Sequence, residues 1–235
     1  LRASNGVGYT NYPDNVVRYF VEQSADAGID LFRIFDSLNW VDNMRPAMDT
    51  VLESGKLCEG SMCYTGDITD PSRAKYDLDY YLTLGKDLEA AGAHILGVKD
   101  MGGLMKPAAA TILFKALKQE VGIPIHFHTH DTSGIAAASI LAASEAGVDA
   151  VDAAMDSMSG LTSQPNLGSI AAALRGSERD TGLDQRALTV ISDYWEQARR
   201  NYAGFEPDIR AGTSSVYQHE MPGGQYTNLR QQARS

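Results

Sequence analysis

Short apolar runs alternate with longer amphipathic stretches along this chain. The runs IDLFRIF, LCEGSMCYTG, AHILGVKD, IPIHFHTH and VDAVDAAM predict strands, and PDNVVRYFVEQSADAG, NMRPAMDTVLESG, KYDLDYYLTLGKDLEAAG, KPAAATILFKALKQEVG and SGIAAASILAASEAG predict helices between or beside them. A glycine follows nearly every predicted helix, where a left-handed cap needs one. Pro13 and Pro107 stand where first helical turns begin. In ILFKALKQEV, Ile112, Leu113, Leu117 and Val121 fall on one stripe. Strands that read as apolar throughout predict a parallel sheet covered by helices.

Five or six such βα units fit either a doubly wound sheet or a (β/α)8 barrel. The polar residues favour the barrel. Asp36, Asp67, Lys99 with Asp100, His128 with His130, and Asp152 fall at or just beyond the C-terminal ends of different strands. A barrel builds its site on that face from many strands. A doubly wound sheet concentrates its site at one switch point, often with a Gly-rich phosphate loop. No GxGxxG is present, and MGGLMKP and MPGGQ read as turns. The expected architecture is therefore an α/β (β/α)8 TIM barrel, incomplete at the N-terminus, over 1–205. The start of a C-terminal helical extension follows over 206–235, flanking the barrel mouth.

The most unusual stretch is HFHTH, which holds three of the five histidines among 235 residues. Alternate strand residues share a face, so His128 and His130 can offer two neutral imidazoles to one metal ion. His126, deeper in the strand, reads as packed. Lys99 leaves an apolar strand toward the barrel mouth, which is costly unless it is paired, neutral or modified. It reads as a Schiff-base lysine, a general base, a carbamylated metal ligand, or a partner of Asp100. Arg2 and Arg33 are candidate grips for an anionic substrate, and each is equally readable as half of a structural ion pair. Tyr194, Trp195 and Tyr202 read as core or interface residues.

Hydrophobic residues make up 43% and charged residues 21%, and the net charge is −10. That acidity argues against nucleic acid and anionic membranes as partners. No apolar run is long enough for a transmembrane helix. Cys58 and Cys63 lie on opposite faces of one predicted strand and suit a reducing compartment. The chain opens without Met, in what reads as mid-strand, and is expected to be a piece of a longer protein.

The segments VGYTNYPDNVV, FRIFDSLNW, YTGDITDPSRAKYDL, AHILGVKDMGGLMKPAAA, HFHTHDTSGIAAAS, DSMSGLTSQPNLGS and HEMPGGQYTNL, in that order, resemble the carboxyltransferase domain of the pyruvate carboxylase family over essentially 1–235. Oxaloacetate decarboxylase and transcarboxylase subunits share the shorter motifs. Metal-dependent aldol or Claisen-type lyases share the barrel, but would need no EMPGGQ segment. The resemblance implies carboxyl transfer from carboxybiotin to pyruvate, giving oxaloacetate. It implies a divalent metal, Mn or Zn, held by carbamylated Lys99, His128, His130 and an aspartate preceding residue 1. Arg2 matches the pyruvate-binding arginine, and Tyr9 and Gln225 match the biotin pocket. A catalytic threonine is implied beyond residue 235. Biotin would ride on a separate carrier domain and ATP would be used by another. A homo-oligomer, a tetramer in the family, is implied, located in the cytoplasm or in the mitochondrial matrix if eukaryotic. The chain departs from the family where it reads RASN for the usual RGAN and KDMGG for the commoner KDMAG.

Overall fold

The computed structural model describes residues 1–233; the last two residues of the expected extension, 234 and 235, lie outside the described residues. In chain order the elements are α1 (Asp14–Asp26), β1 (Leu31–Phe35), α2 (Val41–Glu53), β2 (Leu57–Cys63), α3 (Leu78–Ala90), β3 (Ile95–Asp100) and α4 (Pro107–Glu120). They continue with β4 (Ile125–Thr129), α5 (Ala136–Glu145), β5 (Ala150–Val151), α6 (Leu167–Leu174), α7 (Gln185–Arg200), α8 (Val216–His219) and α9 (Gly223–Gln232). The five strands are all parallel and lie in the order β1-β2-β3-β4-β5. Each strand pairs with the next in sequence and the order never reverses. A doubly wound sheet must reverse, whereas a barrel never does, so the sheet is a five-strand arc of the TIM-barrel kind.

The strands are not apolar throughout, contrary to the sequence expectation. In β4, Ile125, Phe127 and Thr129 are buried, while His126 and His128 are only partly covered. In β1, Phe32 and Ile34 are buried and Arg33 and Phe35 alternate with them. The apolar set faces the helices: Phe127 packs on Phe114 of α4 with ring centroids 4.9 Å apart, and Leu113, Leu117 and Val121 join it. Ile112, assigned to that stripe from spacing, is instead exposed. The other set faces the inside of the arc and, Phe35 apart, is polar. Gly97 of β3 makes this possible, because a Cβ there would lie 2.1 Å from Ser61 Oγ and 2.6 Å from Glu59 Oε1. A glycine leaves the inner face open for two polar side chains from β2.

Cys58 and Cys63 are both buried and free. Tyr194, Trp195 and Tyr202 are exposed rather than core. After α7 the chain runs irregularly from 206 to 215 and then folds back over the C-terminal ends of the strands. Several contacts tie it there: Thr213 N donates to Thr132 O at 2.9 Å and Gly223 N to Met101 O at 2.9 Å. The hydroxyls of Thr162 and Thr227 meet at 3.0 Å, and Arg73 pairs with Glu220.

Candidate active site

The inner ends of β3 and β4 hold the chemistry. His128 and His130 point their Nε2 atoms at each other, 3.2 Å apart. Their other nitrogens are engaged. His128 Nδ1 lies 2.6 Å from Asp152 Oδ2, and a carboxylate only accepts, so Nδ1 carries the proton. His130 Nδ1 donates to the carbonyl of Thr162 at 2.7 Å. Burial holds both imidazoles below their usual titration range, with the neighbouring charge of Lys99 adding to it. Two neutral rings protonated at Nδ1 leave two bare Nε2 lone pairs face to face. Such a pair lacks a proton or cation between its members. Two nitrogens about 2.0–2.1 Å from one tetrahedral ion would stand about 3.3–3.4 Å apart, close to the 3.2 Å seen here. The donor set therefore fits a metal ion, with the Nδ1 bonds fixing both tautomers.

Deeper in the arc lies an ionic network. Arg33 of β1 contacts Glu59 of β2 through Nε at 2.6 Å and Asp152 through Nη1 at 2.6 Å. His126 bridges the same two carboxylates, with Nδ1 3.2 Å from Glu59 and Nε2 2.8 Å from Asp152. Burial opposes the charged form of His126, but the two carboxylate bonds outweigh it and raise its pKa to about 9. Glu59 is only 1% exposed, yet the bonds to His126 and Arg33 overcome burial and hold it below the usual carboxylate range. Arg33 is thus consumed by internal partners and is not a substrate grip. His126 is packed, as its depth in the strand implied.

Lys99 neighbours His128 across the β3–β4 register. It does not pair with Asp100. That carboxylate turns to the other side of the strand and accepts from Leu104 N, Met105 N and Thr129 Oγ1 at 2.8–2.9 Å. Among the described residues Lys99 has no carboxylate partner; its Nζ lies 5.0 Å from the centre of the Phe35 ring. Burial, reinforced by Arg33, lowers its pKa, which raises the share of the uncharged, nucleophilic amine.

Above these residues opens a cleft of about 660 Å³ whose lining includes Arg2, Tyr9, Phe35, Lys99, His130 and Gln225. Five of the six residues that the motif resemblance assigned meet there, and the sixth, His128, lies against His130. Arg2 stacks over the Tyr9 ring at 4.1 Å and reaches its hydroxyl at 3.3 Å, without an acidic partner among the described residues. Gln225 enters from α9, held by the contact of Gly223 with Met101. At the RASN departure, Ala3 is buried and takes φ 45°, a left-handed conformation that glycine adopts at lower cost.

The sequence reading missed Glu59, hidden inside LCEGSMC, and did not see Asp152 as the partner of His128. The available signal was the glutamate itself. A buried strand does not carry an acid without a cation, and Arg33 stands at the matching register position.

The HMGL-like family model matches residues 21–194. The pyruvate carboxylase of Bacillus subtilis is 55% identical over 234 residues, 100% of this chain and 20% of that protein. Mitochondrial pyruvate carboxylase of Homo sapiens is 50% identical over 238 residues, with the same coverage. The solved carboxyl transferase domain from Rhizobium etli pyruvate carboxylase with pyruvate and biocytin is 67% identical. Its TM-score is 0.99, over 100% of this chain and 40% of that one. This chain spans about a fifth of the curated relatives it matches. The motif resemblance and the barrel architecture are both borne out. Among the described residues no helix is long and apolar enough to cross a membrane. The family model covers most of the chain and the strand order is that of a barrel, so the chain belongs to the HMGL-like family.

Proposed function

We propose that this chain is the carboxyltransferase part of a biotin-dependent pyruvate carboxylase, passing a carboxyl group from carboxybiotin to pyruvate to give oxaloacetate. The observation that carries the reading is convergence. Two tautomer-fixed imidazoles, and a lysine and an arginine that have no acidic partner among the described residues, all meet at one cleft.

In this reading His128, His130 and Lys99 hold a divalent ion, Mn or Zn. Lys99 would do so as a carbamate, its uncharged amine adding CO2 and releasing one proton to solvent. When bound, the ion would supply positive charge that stabilises the enolate left as the pyruvate methyl proton passes to the biotin nitrogen that has released CO2; the enolate carbon then takes up that CO2. Arg2, now resting on Tyr9, grips the pyruvate carboxylate with its planar fork and orients the methyl group toward the cleft floor. Tyr9 and Gln225 border the place of the biotin ring. The extension read as 206–235 flanks the barrel of 1–205, and its described part, 206–233, helps exclude water from the mouth. Biotin rides on another domain and ATP is used by another. The whole protein assembles as a homo-oligomer in the cytoplasm, or in the mitochondrial matrix of a eukaryote. The docking of Gly223 and Gln225 at the cleft favours this reading over a biotin-independent lyase on the same barrel.

The test is oxaloacetate decarboxylation by the full-length protein with free biotin added. We expect biotin-dependent turnover, and Arg2→Lys should raise the oxaloacetate KM. Turnover indifferent to biotin and to Arg2 would overturn the assignment.

A further inference from the structure

We infer that Asp152 is a positioning residue for the metal site: it acts through His128, fixing the tautomer that leaves Nε2 bare toward His130. The inference rests on the metal reading above and goes beyond it to a residue that the motif resemblance did not mark.

Asp152 stands just past β5, one strand away from the histidine it governs. Its two oxygens take three partners. Oδ2 receives His128 Nδ1 at 2.6 Å and Arg33 Nη1 at 2.6 Å, while Oδ1 faces His126 Nε2 at 2.8 Å. Glu59 holds the far side of Arg33 and of His126. The carboxylate is thereby gripped from three directions and cannot rotate away from His128. Its own backbone is fixed by donation from Asp152 N to Phe127 O at 2.9 Å. His130 needs no such device, because the carbonyl of Thr162 is an acceptor that cannot become a donor. A carboxylate likewise only accepts, whereas an amide can turn its NH2 group to the ring and reverse the tautomer.

Asp152→Asn preserves size and shape but permits that reversal. In the full-length protein, stripped of metal and titrated with Mn and Zn separately, we expect affinity to fall roughly 10–100-fold. Asp152→Glu should recover part of it. Long-range proton–nitrogen NMR of the metal-free protein, with nitrogen-labelled histidine, should show His128 protonated at Nδ1 in the wild type and at Nε2 in Asp152→Asn. A purely structural role would lower stability without moving the tautomer. Wild-type metal affinity in Asp152→Asn, or a wild-type His128 protonated at Nε2, overturns the inference. The spectrum of the wild type decides even if the variant fails to fold. If the wild type binds neither ion while its His128 is protonated at Nδ1, the metal reading fails and the tautomer assignment stands as a separate result.

Discussion

Two adjacent glycines in KDMGG should respond very unequally to the same substitution. Gly103 has φ +72°, and a Cβ there would lie 2.3 Å from the carbonyl oxygen of His130 and 3.1 Å from its carbonyl carbon. The left-handed backbone alone costs an alanine about 1–2 kcal/mol. Relieving the contact requires the His130 backbone to move by about an ångström, and overpacking of that kind adds about 1–3 kcal/mol. Gly103→Ala should therefore cost roughly 2–5 kcal/mol in urea unfolding. It should also weaken metal binding, because the residue displaced is a candidate ligand. Gly102 has no positive φ, and its Cβ would meet only the Leu104 side chain, at 3.0 Å. Gly102→Ala restores the KDMAG wording and should stay within about 1 kcal/mol of wild type, since lost unfolded-state freedom offsets a small shift of Leu104. A Gly103→Ala protein as stable as wild type, or a Gly102→Ala protein that is the less stable of the two, would refute the reasoning.

Three further predictions follow from the inner face. Arg33→Met leaves Glu59 buried with His126 as its remaining cationic partner and should destabilise by about 3–5 kcal/mol in urea unfolding; adding Glu59→Gln should recover part of that. The pKa of His126 is raised to about 9 from its usual value, so its stabilisation is complete below about pH 6.5 and lost as pH rises through 9. The stability gap between wild type and His126→Gln, as much as about 3 kcal/mol at pH 6, should close by pH 10 in parallel urea titrations. Lys99→Met removes a buried amine that has no acid partner among the described residues, so the metal-free protein should gain about 1 kcal/mol while losing metal, a trade of stability against function.

Much of the fold was legible because hydrophobic period and helix punctuation are local signals. All five strands and the helices between them follow the runs read from the sequence, and the spread of polar residues over several strand ends pointed to a barrel. What local reading could not supply was the facing of each strand. Arg33 flanked by Leu31, Phe32 and Ile34 gives no hint of direction, and only pairing with Glu59 across the register turns it inward. Glu59 escaped notice for the same reason: its partners lie on β1 and β4, far away in sequence. The stripe assigned through Ile112 failed by one position because α4 turns Phe114, not Ile112, toward Phe127. His128, His130 and Lys99 were legible because polar residues at strand ends are conspicuous in any apolar run. Arg2, Tyr9 and Gln225 came from the motif resemblance, and their meeting at one cleft depends on the fold-back of α9, which no periodicity encodes.

If Lys99 and the two facing imidazoles form one metal site, bound metal must depend on Lys99. Full-length wild-type protein and Lys99→Ala should be purified side by side and assayed for bound divalent metal by elemental analysis. We expect about one ion per chain in the wild type and a loss of most of it in Lys99→Ala. A Lys99→Ala protein that keeps its full complement of metal, or a wild type that binds none, would contradict it.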